Sequence, residues 1–276
     1  QTAEPKARDL ARSIADERAA GRSIRMGTYE AGPGYVLNGL NNARVTKEEA
    51  RQQELVMKSK LAGTATLDSF LIRAAYDFDE QNFFTYGQGD LWVSHANRWE
   101  GGHPHASYLP LELFNRHATG DLLQTRARSV PTVDMPKLHR RKATDDQPLA
   151  AVYATRSGDR VSLFCISRKV PGYPVEGASG DTAFGVVLPF TQAESITLYR
   201  LTGLPTDTNI ETETVEVERV TIDPDQLRSN GEFVVGPATG GVSGGLPAAE
   251  SFLYVFKGTD IGEGEEVALE EVLETE

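Results

Sequence analysis

The chain has one cysteine in 276 residues, which excludes an intrachain disulfide. Cys165 sits in the strand-like run Val161–Ile166, where a small buried hydrophobe is expected rather than a nucleophile. No apolar run approaches the ~20 residues of a membrane-spanning helix, so no membrane partner is expected. No signal peptide is visible either. Basic residues are in deficit: 28 Lys and Arg stand against 40 Asp and Glu, a net charge of −12. A nucleic-acid footprint needs clustered Lys and Arg, and none is present. The short run His139-Arg140-Arg141-Lys142 reads as an exposed connection. After Lys257 there is no basic residue at all, while eight acids follow; setting those aside leaves a net charge of −4. Residues 259–276 therefore read as an acidic tail, solvated and partly disordered, with a docking segment as the alternative.

What is present is ordinary for a globular chain: 39% hydrophobic and 25% charged residues, enough for one large or two ordinary domains. Residues 5–20 read as a helix, with Pro5 in the first turn, Ala7, Leu10, Ala11 and Ile14 on one face, and Gly21 as the stop. A strand over 23–29 follows. Thr46 with Glu49 makes a capping box for a second helix. Leu67, Phe70, Leu71, Ala74, Ala75 and Phe78 form an amphipathic stripe that faces a core. Asn82–Tyr86 reads as a short strand and Tyr108–His117 as a helix. This alternation is that of a βα fold. Beyond Leu122 the texture changes to short β-rich runs: Val152-Tyr153, Val161–Ile166, Ala183–Leu188, Ile196–Leu201, Val215–Ile222, Phe233–Val235 and Phe252–Phe256. Turn residues separate them, which is the signature of an antiparallel β-sandwich.

Two stretches carry chemistry. The first is Tyr29-Glu30-Ala31-Gly32-Pro33-Gly34-Tyr35, a carboxylate at the end of a strand, flanked by aromatics and followed by a Gly/Pro loop. Glu30 is the candidate catalytic carboxylate. Tyr29 and Tyr35 are candidate hydrogen-bond donors to it, Arg25 is expected behind it, and Asn38 is a candidate substrate contact in the loop beyond. The second runs from Asp90 to His105 and holds both tryptophans of the chain, Trp92 and Trp99. Sugars stack their C–H faces on aromatic rings, so Trp92 and Trp99, with His95 beside them, are candidate sugar contacts. Core packing is the alternative for either tryptophan. His103-Pro104-His105 lacks a third nearby ligand and reads as a pair of loop histidines, so no metal site and no cofactor are expected.

The order of these parts resembles the C-terminal half of retaining glycoside hydrolases of the (β/α)8 clan, similar in layout to the arabinofuranosidase and β-xylosidase families. Tyr29–Tyr35 takes the seventh-strand position, Asn82–Tyr86 the eighth, and Pro148–Tyr153, Asp159–Phe164 and Leu198–Gly203 resemble the following sandwich. The resemblance implies an α/β plus all-β chain: residues 1–121 as the last strands and helices of a (β/α)8 barrel, 122–258 as the β-sandwich, and 259–276 as the tail. It implies that Glu30 is the nucleophile of a covalent glycosyl-enzyme intermediate, that the substrate is a plant or marine polysaccharide or oligosaccharide, and that the protein is secreted or periplasmic. In that clan the acid/base Glu follows Asn, and no Asn-Glu pair occurs here. Strands one to six of the barrel also have no counterpart. The expectation is a chain that supplies one of two carboxylates, completed by a missing N-terminal segment or by a second chain. The alternative is a non-catalytic carbohydrate-binding or assembly module.

Overall fold

The computed structural model describes residues 3–33, 45–87, 91, 93–137, 142–236, 245–262 and 268–272. The chain divides into two compact units: Gln1–Glu112 with Thr202–Glu216, and Leu113–Leu201 with Val217–Glu276.

In the first unit, helix α1 (Ala3–Ala19) uses the expected face: Ala7 is buried with Met26 and Phe78, and Ala11 and Ile14 pack at the edge of that cluster. Strand β1 is Met26–Ala31, later than the expected 23–29, so Glu30 lies within the strand. The displacement has a local cause. The Ile24 carbonyl accepts from Arg18 Nε at 2.9 Å instead of entering a ladder, and the first buried strand residue is Met26. Helix α2 (Lys47–Lys58) starts at the expected capping box: Glu49 N donates to Thr46 Oγ1 at 3.2 Å, and Thr46 N donates to Glu49 Oε2 at 2.7 Å.

Helix α3 (Lys60–Ala74) follows almost without pause because Ser59 serves both helices, donating to Val56 O at 2.7 Å and accepting from Ala62 N at 3.3 Å. Leu67, Phe70 and Leu71 are buried, as the stripe requires, but Phe78 is not on the helix. Asp77 takes the left-handed conformation (φ 63°) and turns the chain, and Phe78 opens strand β2 (Phe78–Phe83). The strand expected at Asn82–Tyr86 is thus earlier, and Tyr86 falls in the loop after it. β1 and β2 are parallel, paired from Met26↔Phe78 to Ala31↔Phe83. A parallel pair needs a crossover, and α2 with α3 provides it. At Gly27 a Cβ would lie 2.9 Å from the Glu80 carbonyl oxygen, so the two strands approach there only with glycine.

The segment Thr202–Glu216 is fastened to the start of α3. Lys60 is 1% exposed, and its ammonium donates to Gly203 O at 2.8 Å and Thr202 O at 3.2 Å. Backbone bonds from Lys60 N to Asp207 O (3.0 Å) and Leu61 N to Pro205 O (2.8 Å) complete the attachment. After β2 come a 3-10 turn at Arg98–Glu100 and helix α4 (Leu109–His117).

The second unit holds β3 (Asp121–Arg128), β4 (Thr132–Met135), β5 (Thr144–Pro148), β6 (Ala150–Ser157), β7 (Arg160–Ser167), β8 (Phe184–Val187), β9 (Ser195–Leu201), β10 (Val217–Ile222), β11 (Glu232–Val235), β12 (Ser251–Lys257) and β13 (Ala268–Val272). Nine of these make one sheet in the order β10-β9-β12-β7-β6-β3-β13-β8-β11, and β4 pairs with β5 alone. Every β-rich run of the sequence is a strand. β3, β4, β5 and β13 are additional, and their polar composition hides them from a hydrophobic reading. Pairing in the large sheet is antiparallel except between β13 and β3. Part of the expected acidic tail is a strand, β13, whose register sets Glu270 opposite Arg126.

Phe233 of β11 meets Tyr254 and Phe256 of β12 edge-on, with ring centroids 5.0 and 5.2 Å apart. β11 and β12 are not neighbours in the sheet, so these contacts cross a core between two faces. Cys165 is buried in that core, as its run implies. Among the described residues no helix is long and apolar enough to cross a membrane.

Candidate active site

Glu30 is the fifth residue of β1, exposed, beside Ala31, which pairs with Phe83 at the carboxyl end of β2. Phe84 N donates to Ala31 O at 2.7 Å and ties the two strand ends together. The pairing is irregular between Thr28 and Ala31, and Met26 and Ala31 are both buried although five residues apart, so regular alternation of faces is broken around Tyr29 and Glu30. Tyr29 is 86% exposed. Among the described residues none hydrogen bonds to the Glu30 carboxylate. Arg25 is not behind Glu30: its Nε lies 3.6 Å from Asp79 Oδ2, at the start of the strands. Five residues of extended chain separate positions 25 and 30 by about 16 Å, which accounts for the difference. Tyr35, Asn38 and Trp92 lie outside the described residues.

His95 is brought to the same strand ends by the chain that leaves β2. Ser94 N donates to Thr85 O at 2.8 Å and His95 N to Tyr86 O at 3.0 Å. The imidazole packs 4.7 Å from the Tyr86 ring and 5.0 Å from Tyr108, and Phe83 meets Tyr108 edge-on at 5.5 Å. His95 Nδ1 is 2.8 Å from Ser94 Oγ. That hydroxyl also reaches Tyr86 O at 3.2 Å; with its proton donated there, His95 Nδ1–H donates to Ser94 and Nε2 is left as an acceptor. Burial holds the His95 pKa below its ordinary value, with Glu112 opposing and His103 adding to the effect. The ring is neutral at neutral pH.

Trp99 lies in the 3-10 turn and is 86% exposed, so it is not packed into a core. Gly101 (φ 103°) and Gly102 (φ 65°) turn the chain back behind it. The exposed aromatics of the first unit, Tyr29, Phe84, Tyr86 and Trp99, are therefore available to stack on a ligand. Tyr86 was not among the sequence candidates. Its signal was available: it follows the end of the second strand as Tyr35 follows the end of the first.

His103 and His105 are loop histidines, as expected, and share one acceptor. His103 Nε2 lies 2.7 Å and His105 Nδ1 3.0 Å from the carbonyl oxygen of Asn209. Among the described residues no group of three His, Cys, Asp or Glu side chains is placed to hold a metal ion. Asn209 had no sequence signal. It is buried, donating to Val215 O at 2.8 Å and accepting from Thr214 N and Val215 N at 3.0 and 2.9 Å.

No protein-family model matches the sequence, and comparison with curated protein sequences gives no match. The fold is similar to solved glycoside hydrolases. The structure of AbfB, a family 51 α-L-arabinofuranosidase from Bifidobacterium longum, matches with a TM-score of 0.52 and 14% identity, over 91% of this chain and 48% of that one. The α-L-arabinofuranosidase of Thermotoga maritima, solved with arabinose, matches with a TM-score of 0.50 and 13% identity, over 72% of this chain and 38% of that one. The chain thus spans less than half the length of the structures it matches. At such identities the likeness is one of fold, and its layout agrees with the resemblance read from the sequence.

Proposed function

We propose that the chain supplies the nucleophile side of a retaining glycoside hydrolase site, with Glu30 as the nucleophile. The observation that carries this reading is the exposed Glu30 carboxylate at the carboxyl end of a parallel strand, the end at which barrel enzymes place their chemistry. The likeness of most of the chain's fold to arabinofuranosidases supports it.

In a retaining hydrolysis the ionised Glu30 carboxylate attacks the anomeric carbon while a carboxylic acid about 5–5.5 Å away protonates the leaving oxygen. A covalent glycosyl ester forms on Glu30 and the aglycone departs. The second carboxyl, now ionised, takes a proton from water, the water oxygen attacks the anomeric carbon, and Glu30 is released. The acid/base is supplied by further barrel strands, from another stretch of polypeptide or from a second chain. Tyr29, Tyr35, Asn38, Trp92, His95 and Trp99 contact the substrate, a glycoside of a plant or marine polysaccharide or oligosaccharide. An activated 2-fluoro glycoside applied to the completed enzyme should esterify the peptide holding Glu30; an ester on any other carboxylate refutes the assignment.

The exposure of Trp99, Tyr29 and Tyr86 favours a second reading, a non-catalytic carbohydrate-binding module. Under it Glu30→Gln leaves every measurable property unchanged. A loss of glycosidase turnover in the completed enzyme excludes it.

A further inference from the structure

A cavity of about 510 Å³ opens within the first unit, and Glu30 is not among its lining residues. Its size is that of small-molecule sites, which run from about 300 to 1,000 Å³. Arg51, Glu54 and Lys58 lie at i, i+3 and i+7 on α2 and so present one helical face to it. His95, Asn97, Glu100, His105 and Ile210-Glu211 are among the residues of the other walls.

The charges of this cavity are already spent on one another. Lys58 Nζ donates to Glu54 Oε1 at 2.7 Å, Arg51 donates to Glu54 Oε2 at 2.7 Å, and Arg51 reaches Glu211 Oε1 at 3.1 Å. Glu100 Oε2 accepts from Asn97 N at 3.1 Å. Three carboxylates face two cations, which discourages an anion.

His105 is the exception to this internal satisfaction. It is 2% exposed, and a carbonyl can only accept, so Nδ1 carries the proton that goes to Asn209 O. Burial, with Lys58 adding, lowers its pKa to about 4, so Nε2 holds a lone pair at neutral pH. Nε2 is buried with no hydrogen-bond partner. Buried polar atoms are almost always paired, and one that is not calls for a ligand or a water. Lys58, 5% exposed, has two further N–H bonds, and Glu54 is its one hydrogen-bond partner among the described residues. A lone pair on His105 and spare N–H bonds on Lys58, whose charge acts on that ring, complement groups that both donate and accept. Vicinal hydroxyls are such groups.

We propose that this cavity is a binding site for a neutral glycosyl unit, held by a hydroxyl donated to His105 Nε2 and a hydroxyl oxygen accepting from Lys58 Nζ, and that this binding does not use the Glu30 carboxylate, although His95 borders both sites. It goes beyond the catalytic reading and does not depend on it.

The test is a titration of the full 276-residue chain, labelled with 15N-histidine, with arabinose, xylose and sodium sulfate. Either pentose should move the His105 Nε2 resonance upfield with saturation, equally in the native chain and in Glu30→Gln, while sulfate should not. His105→Gln keeps one donor and one acceptor and should retain binding, followed by calorimetry. His105→Phe and, independently, Lys58→Met should each weaken it by about tenfold or more. The proposal is overturned by a non-saturating response to both pentoses, by saturation with sulfate at the same resonance, by undiminished binding in folded Lys58→Met, or by binding lost in Glu30→Gln.

Discussion

His105 Nδ1 donates to the backbone carbonyl of Asn209 across 3.0 Å, although 104 residues separate them. The same carbonyl accepts from His103, so the loop after β2 and the segment Thr202–Glu216 meet at one oxygen atom. The Asn209 side chain holds that oxygen in place through its bonds to Thr214 and Val215.

Asn209→Ala should therefore destabilise the chain by about 2–3 kcal/mol, because Val215 O and the Thr214 and Val215 N–H groups lose buried partners. Urea midpoints at neutral pH read this directly. A shift worth less than about 0.5 kcal/mol would mean that water replaces the side chain.

The same contact predicts an acid-side loss of stability. His105 has a folded pKa of about 4 against an ordinary 6.5, lowered chiefly by burial and further by Lys58 and His103, with the Asn209 hydrogen bond and Glu54 opposing. Its folded value is depressed, so the unfolded state binds the proton first. Stability is full above pH 6.5 and is lost as pH falls towards 4. The loss is at most about 2 kcal/mol by pH 5, because the ring borders an open cavity. Glu54 does not interfere in this window: burial raises its pKa, but hydrogen bonds from Lys58 and Arg51 outweigh that and hold it below 4.5. Denaturation at pH 7.5, 6 and 5 should show a shallower slope for His105→Gln than for the native chain.

Trp99→Ala should leave thermal stability within about 0.5 kcal/mol, since the ring is exposed. In the completed enzyme it should weaken substrate by about 0.5–1.5 kcal/mol, the worth of one aromatic contact. An unchanged KM would remove Trp99 from the site.

Glu30→Gln is isosteric at an exposed position and should fold as the native chain does, with an unchanged melting curve. In the completed enzyme kcat should fall by roughly 10⁴-fold or more, while sugar affinity is kept. A loss of only a few fold would reduce Glu30 to a positioning residue.

Gly27→Ala should cost about 1–3 kcal/mol, because the new methyl meets the Glu80 carbonyl at 2.9 Å and one strand must move. Thermal melting compared with Gly21→Ala separates this clash from backbone conformation: no atom lies within 4 Å there, but φ is +82°.

Much of the fold was legible because it is written in local patterns. The Thr46–Glu49 capping box, the Leu67–Leu71 stripe and the seven β-rich runs all act within a few residues. Element boundaries were less legible where a side-chain contact or a turn conformation overrides the hydrophobic pattern. Arg18 takes the Ile24 carbonyl and delays β1, and the left-handed Asp77 turns Phe78 from helix to strand. β13 escaped notice because its acidic composition is that of a solvated tail, and only its pairing with β3 makes it a strand.

By itself the sequence determined the two textures of the chain, the strand that carries Glu30, and the placing of His103 and His105 in a loop, since each depends on periodicity, turn chemistry or composition over a short span. The tertiary structure decided that His103, His105 and Asn209 converge, that Lys60 is buried beneath Gly203, and that Arg25 pairs with Asp79 rather than Glu30. Those pairings join residues tens to more than a hundred positions apart. Chain closure over such distances leaves no local periodicity to read, so burial and hydrogen-bond geometry in the folded chain decide them.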